Sequence, residues 1–143
     1  MTDTSDLLRH ITITSDDDLV ALWTGLMGEG GFGRRTLWLV ILDDHGRPAP
    51  VVVPIDDLPT APSGRDARAF GTVLAGLADQ GTPILLLSRP GSTAVQDGDR
   101  RWAAALAPLA PAWPVHLATA HPDGGSRPCW VRPILPSAQG ASS

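Results

Sequence analysis

The chain has no lysine and a single glutamate, so its charge rests on eleven arginines set against fifteen acids, a formal net charge of −4. That balance argues against the basic stripe that a nucleic-acid surface needs, and no nucleic-acid partner is expected. The adjacent pairs Arg34–Arg35 and Arg100–Arg101 read as solvated faces, not phosphate clamps. Cys129 is the one cysteine, which excludes an internal disulfide. Its place beside Trp130 in an apolar run suits a buried, inert thiol. No apolar run approaches the roughly 20 residues needed to span a bilayer. Met1–His10 is polar and lacks the apolar core of a signal peptide. The expected compartment is the cytoplasm, with no membrane partner. No Gly-x-Ser-x-Gly elbow is present. The aspartate groups (Asp16–Asp18, Asp43–Asp44, Asp56–Asp57) fall at caps and turns, so a tuned acid/base pair of carboxylates has no support.

What is present describes one globular domain. The 143 residues are 43% apolar, enough to bury a core without staples. Charged residues are only 18%, while glycine and proline number 15 and 14, which predicts many tight turns. The Ala/Gly/Pro/Asp/Arg bias is that of a GC-rich bacterial genome. Residues 10–14 alternate and suit a short strand or extended lead-in. Ser15 caps a first helix whose acids Asp16–Asp18 meet unpaired N–H groups. Leu19, Val20, Trp23, Leu26 and Met27 make its apolar stripe. Gly28–Gly33 follows a helix and precedes a strand, the wrong order for a phosphate loop, and reads as a connection.

Leu37–Leu42 is a continuous apolar run expected to be buried on both faces. Asp43–Gly46 turns it back into a partner strand, Val51–Val53, which Pro54, Pro59 and Pro62 end. Ser63 caps a second helix over Gly64–Asp79 with the stripe Phe70, Val73, Leu74 and Leu77. Ile84–Leu87 is a strand and Ser88–Gln96 a polar loop. Asp97 caps a third helix that buries Trp102, Leu106 and Leu109. Val115–Ala118 and Cys129–Val131 form a last hairpin turned by Pro122–Gly125. The order is helix, hairpin, helix, strand, helix, hairpin. It predicts an α/β (α+β) fold: a central mixed sheet flanked by about three helices. The domain spans residues 1–135, with a flexible tail at 136–143.

Three stretches resemble RadC-type JAB/MPN domains, the JAMM metallopeptidase-like fold with cytidine-deaminase-like layering. They are Arg34–Asp43, the helix from Asp66 to Asp79 leading into Ile84–Leu87, and Ser88–Ser92 followed by Asp97–Trp102. In that family two histidines and an aspartate bind zinc, a glutamate activates the metal-bound water, and a serine helps hold the oxyanion. The resemblance places Arg35 at the glutamate position, Leu87 and Arg89 at the histidines and Gln96 at the serine. Only the aspartate is kept, as Asp99. Leucine has no lone pair, arginine repels a cation, and one carboxylate does not hold catalytic zinc, so neither metal nor cofactor is expected. Asp99 can complement the helix dipole, and either Arg35 or Arg89 can pair with it.

The resemblance therefore implies a pseudoenzyme: a non-catalytic interaction or scaffold module, working with a protein partner or by self-association as a homodimer or heterodimer. Trp113 and Trp130, flanking the last hairpin, are the candidate interaction surface. The alternative is a small enzyme with a relocated site built from Asp99, Arg89 and the His116/His121 hairpin, with Asp123 nearby.

Overall fold

The computed structural model of the protein describes residues 10–27, 34–120 and 129–134. Three α-helices, a 3-10 turn (Ala78–Gln80) and five strands appear among them: α1 (Asp16–Met27), β1 (Thr36–Leu42), β2 (Pro48–Ile55), α2 (Gly64–Leu77), β3 (Thr82–Ser88), α3 (Asp97–Leu106), β4 (His116–Thr119) and β5 (Trp130–Pro133). The strands form one mixed sheet in the order β2-β1-β3-β4-β5. β1 runs antiparallel to both β2 and β3, β4 is parallel to β3, and β5 returns antiparallel to β4. The expected mixed α/β architecture is the one observed. The glycine run, the Pro122–Gly125 turn and the tail lie outside the described residues.

Alternation along the strands builds two cores. Val40, Leu42, Ile84, Leu86, Ala118 and Val131 meet Leu19, Leu22, Trp23 and Met27 of α1 on one face. Leu37, Leu39, Leu85, Leu87 and Leu117 meet Phe70 and Leu74 of α2 and Trp102 and Leu106 of α3 on the other. Leu22, fully buried, belongs to the α1 stripe although the spacing argument passed over it. Val73 does not belong to the α2 stripe: it is 45% exposed, because the buried arc of that helix is narrow and is filled by Phe70 and Leu74.

All three helices open with an aspartate three residues after the cap position, reaching back to it. In α1, Asp18 Oδ2 accepts from the Thr14 and Ser15 amides (2.9 and 3.1 Å) and from the Thr14 hydroxyl (2.9 Å). The Asp18 amide donates to Ser15 Oγ at 3.4 Å. In α2, Asp66 Oδ2 accepts from the Ser63 amide at 2.9 Å while the Asp66 amide donates to Ser63 Oγ at 3.1 Å. In α3 the cap position is Gln96, not Asp97, which lies inside the first turn. The Gln96 amide donates to Asp99 Oδ2 at 2.8 Å. The bonds from the Thr14 backbone and hydroxyl hold the Asp18 carboxyl below its ordinary 3.8. A carboxyl lowered in the folded state adds stability that is complete above the unfolded value and is lost as pH falls through the lowered one. Asp18→Asn is therefore expected to lower stability at neutral pH and to flatten its decline between about pH 5 and pH 2, as read from urea midpoints across that range.

Two other expectations change. Pro54 does not end β2; it pairs with Trp38 inside the strand. Among the described residues β2 is an edge strand, where a missing N–H is tolerated. Residues 11–13 form no ladder and are held through the Ile13 amide, which donates to the Gly46 carbonyl at 2.8 Å. Gly46 sits at φ +80°, and a Cβ there would lie 2.6 Å from the Ile13 carbonyl oxygen, so only glycine fits the β1–β2 turn.

Candidate functional site

The register brings the start of β1, the end of β3 and the β4–β5 junction to one end of the sheet. Thr36 pairs with Ser88, Ser88 with Ala118, and Thr119 with Trp130. The first turn of α3 lies over this end on the face that also carries α2. The Thr60 carbonyl approaches Gly98 so closely that a Cβ there would come within 2.3 Å of it. Trp102 Nε1 donates to the Pro59 carbonyl at 3.0 Å. The segment after β2 is thus fastened onto α3.

Arg89, one residue past β3, continues the alternation of Leu85 and Leu87 and points into this face. It is 0% exposed, and Asp99 is 1% exposed. Arg89 Nε donates to Asp99 Oδ1 at 2.8 Å and Nη2 to Asp99 Oδ2 at 2.7 Å, a bidentate pair. Nη2 also donates to the Ala94 carbonyl at 2.8 Å, and Nη1 to the Ser92 and Pro90 carbonyls at 2.7 and 3.1 Å. A guanidinium has five N–H donors, and all five are used. Asp99 accepts three bonds, since Oδ2 takes the Gln96 amide as well. The stretch Ser88–Gln96, expected as a polar loop, is wound around a buried cation, and Ser88 and Arg89 are among its most buried residues. On the other face Trp38 Nε1 donates to Ser88 Oγ at 2.9 Å.

Of the positions singled out in the sequence, Arg89, Gln96 and Asp99 are joined directly. Arg35 reaches the same end but bonds Thr60 Oγ1 at 3.5 Å, so the partner of Asp99 is Arg89. Leu87 is buried in the apolar cluster with Trp102. His116 does not join them. It shares its face with Ala118 and lies against α1, its Nε2 2.9 Å from Asp16 Oδ1 but not aligned as a hydrogen bond. Its Nδ1 is 3.1 Å from the Pro114 carbonyl oxygen. The sheet stands between it and Arg89. His121 and Asp123 lie outside the described residues. Among the described residues no group of three His, Cys, Asp or Glu side chains could hold a metal ion. Cys129 is buried, and burial pushes its thiol up to about 11.

Trp113 and Trp130 do not share a surface. Trp113 is half-buried against the α1-side core, before the start of β4. Trp130 is 38% exposed and lies opposite Thr119 at the far end of β4. Arg132, two residues along β5 and on the same face, was not singled out in the sequence. Its guanidinium carbon sits 4.1 Å from the Trp130 ring centroid. Its Nη1 and Nη2 are buried and have no hydrogen-bond partner. Burial, then the charge of Arg89, lower its pKa, and Asp99 opposes them. The available signal was Trp130-Val131-Arg132: residues two apart on a strand share a face.

No protein-family model, curated protein or solved structure matches the chain. What the site can do is therefore set by its geometry. The arginine of this pair has no donor left to meet a substrate and the aspartate is 1% exposed, so the pair holds a loop to a helix.

Proposed function

We propose that the chain is a degenerate JAB/MPN-like domain that acts as a non-catalytic interaction or scaffold module in a bacterial cytoplasmic complex. The observation that carries this reading is the Arg89–Asp99 pair. By the JAB/MPN resemblance these residues would stand at a metal-ligand histidine and at the metal-ligand aspartate. A guanidinium whose five donors are spent on Asp99 and three loop carbonyls fills that place as a structural plug. Leu87, at the other histidine position, adds only apolar packing. The element order and the mixed sheet with β1 antiparallel to its neighbours support the same reading. No described helix is long and apolar enough to cross a membrane. Work would then be done at the surface, where Trp130 offers an exposed anchor of the type enriched at binding hot spots.

The test is purification of the untagged protein from its host, with mass spectrometry of what accompanies it, light scattering for self-association and elemental analysis for zinc. A stoichiometric partner that recaptures the chain in the reverse experiment, or a stable homodimer, is expected, with binding reduced by Trp130→Ala. A monomer that carries stoichiometric zinc and no partner would sink the proposal.

A further inference from the structure

Most ionic groups at this end of the sheet are matched. Arg89 and Asp99 neutralise each other within the fold, and Arg34 Nη1 lies 3.5 Å from Asp57 Oδ2. Two arginines are exceptions: Arg35 meets only the Thr60 hydroxyl and has a buried, unpartnered Nε, and more of the charge is left over at Arg132. Asp99 acts on it electrostatically, but both Asp99 oxygens are already taken by Arg89 and the Gln96 amide. Both terminal nitrogens of Arg132 are left buried without an acceptor. Trp130 covers one face of the guanidinium and is itself more than a third exposed, so a ligand that reaches these enclosed nitrogens must first shift this ring.

We propose that Arg132 is a carboxylate-binding residue, with Trp130 as the ring that orients it. Two parallel N–H donors on adjacent nitrogens match the two oxygens of a carboxylate in a bidentate bond. The stacked ring fixes the plane in which that bond forms. Net charge selects the ligand. The Arg89–Asp99 pair contributes no net charge, so the site carries one unmatched positive charge and suits a monoanion over a phosphate dianion. Desolvation of the two terminal nitrogens sharpens the requirement, since enclosed donors left unpaired are costlier than exposed ones. Two sources present this chemistry: a free small carboxylic acid, and a carboxylate carried on a protein partner as an acidic side chain or chain terminus.

The experiment is a titration of the full chain, followed by tryptophan fluorescence and melting midpoint, at constant ionic strength. Sodium acetate is compared with sodium chloride and inorganic phosphate, and a short uncharged peptide ending in a free carboxylate is compared with its amide. The expected result is a saturable response to acetate and to the peptide acid, none to chloride or the peptide amide, and at least a ten-fold loss in Arg132→Gln. A peptide acid that binds ten-fold more tightly than acetate assigns the site to a partner-borne carboxylate; equal binding assigns it to a free acid. Arg132→Gln removes an unpaired buried charge and is expected to melt no lower than the wild type in chloride. The wild-type comparison of acid with amide stands without that variant. Equal responses to acid and amide, phosphate binding more tightly than acetate, or an undiminished response in Arg132→Gln would each overturn the assignment. These outcomes leave the scaffold reading untouched, because they are obtained without a partner.

Discussion

Arg89→Ala is expected to lower stability by about 3–5 kcal/mol, the usual result of removing one member of a buried ion pair. The cause is what it leaves behind. Asp99, 1% exposed, becomes a buried carboxylate whose one remaining hydrogen bond is from the Gln96 amide, with the Arg132 charge nearby. The carbonyls of Pro90, Ser92 and Ala94 each lose the donor that holds them. At roughly 2–5 °C per kcal/mol for a domain of this size, the melting midpoint falls by on the order of 10 °C. Arg89→Lys recovers little, because an ammonium has three donors on a point charge and cannot span both Asp99 oxygens and the loop. The Arg89→Ala/Asp99→Ala double variant loses less than the sum of the two single losses, since each single variant strands the other's charge. Melting curves of the four proteins decide the matter. An Arg89→Ala protein that melts with the wild type would show that the pair does not hold the β3–α3 loop.

The second large effect belongs to Trp102. Its side chain is fully buried, meets Phe70 edge-to-face with ring centroids 5.6 Å apart, and donates to the Pro59 carbonyl. Trp102→Ala is expected to cost about 3–5 kcal/mol from lost burial and the cavity left between α3 and the sheet. Trp102→Phe keeps most of the apolar contact but leaves the Pro59 carbonyl without its donor, for about 1–3 kcal/mol. The two differ in kind as well as size. Both release the segment after β2 from α3, so amide exchange should quicken across residues 56–63 in each, whereas only the alanine variant should loosen Phe70 and Leu106. Urea unfolding combined with hydrogen exchange separates the two contributions. Unchanged exchange over 56–63 in Trp102→Phe would mean that the Thr60–Gly98 approach alone fastens the segment.

The two residues show how local and long-range information divide. Trp102 was legible from helical spacing, because a tryptophan on an apolar stripe with Leu106 is buried in almost any arrangement of the chain. Arg89 stood out in the sequence only through the JAB/MPN resemblance, as a cation at an expected ligand position. Its sequence surroundings, Ser-Arg-Pro-Gly-Ser, are those of an exposed turn. Nothing local says that the loop will wrap its own arginine, since that needs Asp99 to arrive on the first turn of α3. Asp97 has the chemistry of a cap residue, yet the cap is Gln96, and Asp99 three positions later is the recognisable half of the motif. Trp113 and Trp130 looked like one surface because they flank one hairpin. The strand register puts them at opposite ends of β4 and against opposite faces.

The sequence by itself determined the α/β class, the order of the elements, the α1 and α2 caps and most of the two cores, because hydrophobic period and cap chemistry act over a few residues. Tertiary structure alone decided that Arg89 and Asp99 close on each other, that His116 lies on the far side of the sheet, and that Arg132 is left without an acceptor. Each depends on which strands pair, in which register and on which face. A one-residue slip would turn every one of those side chains to the other side.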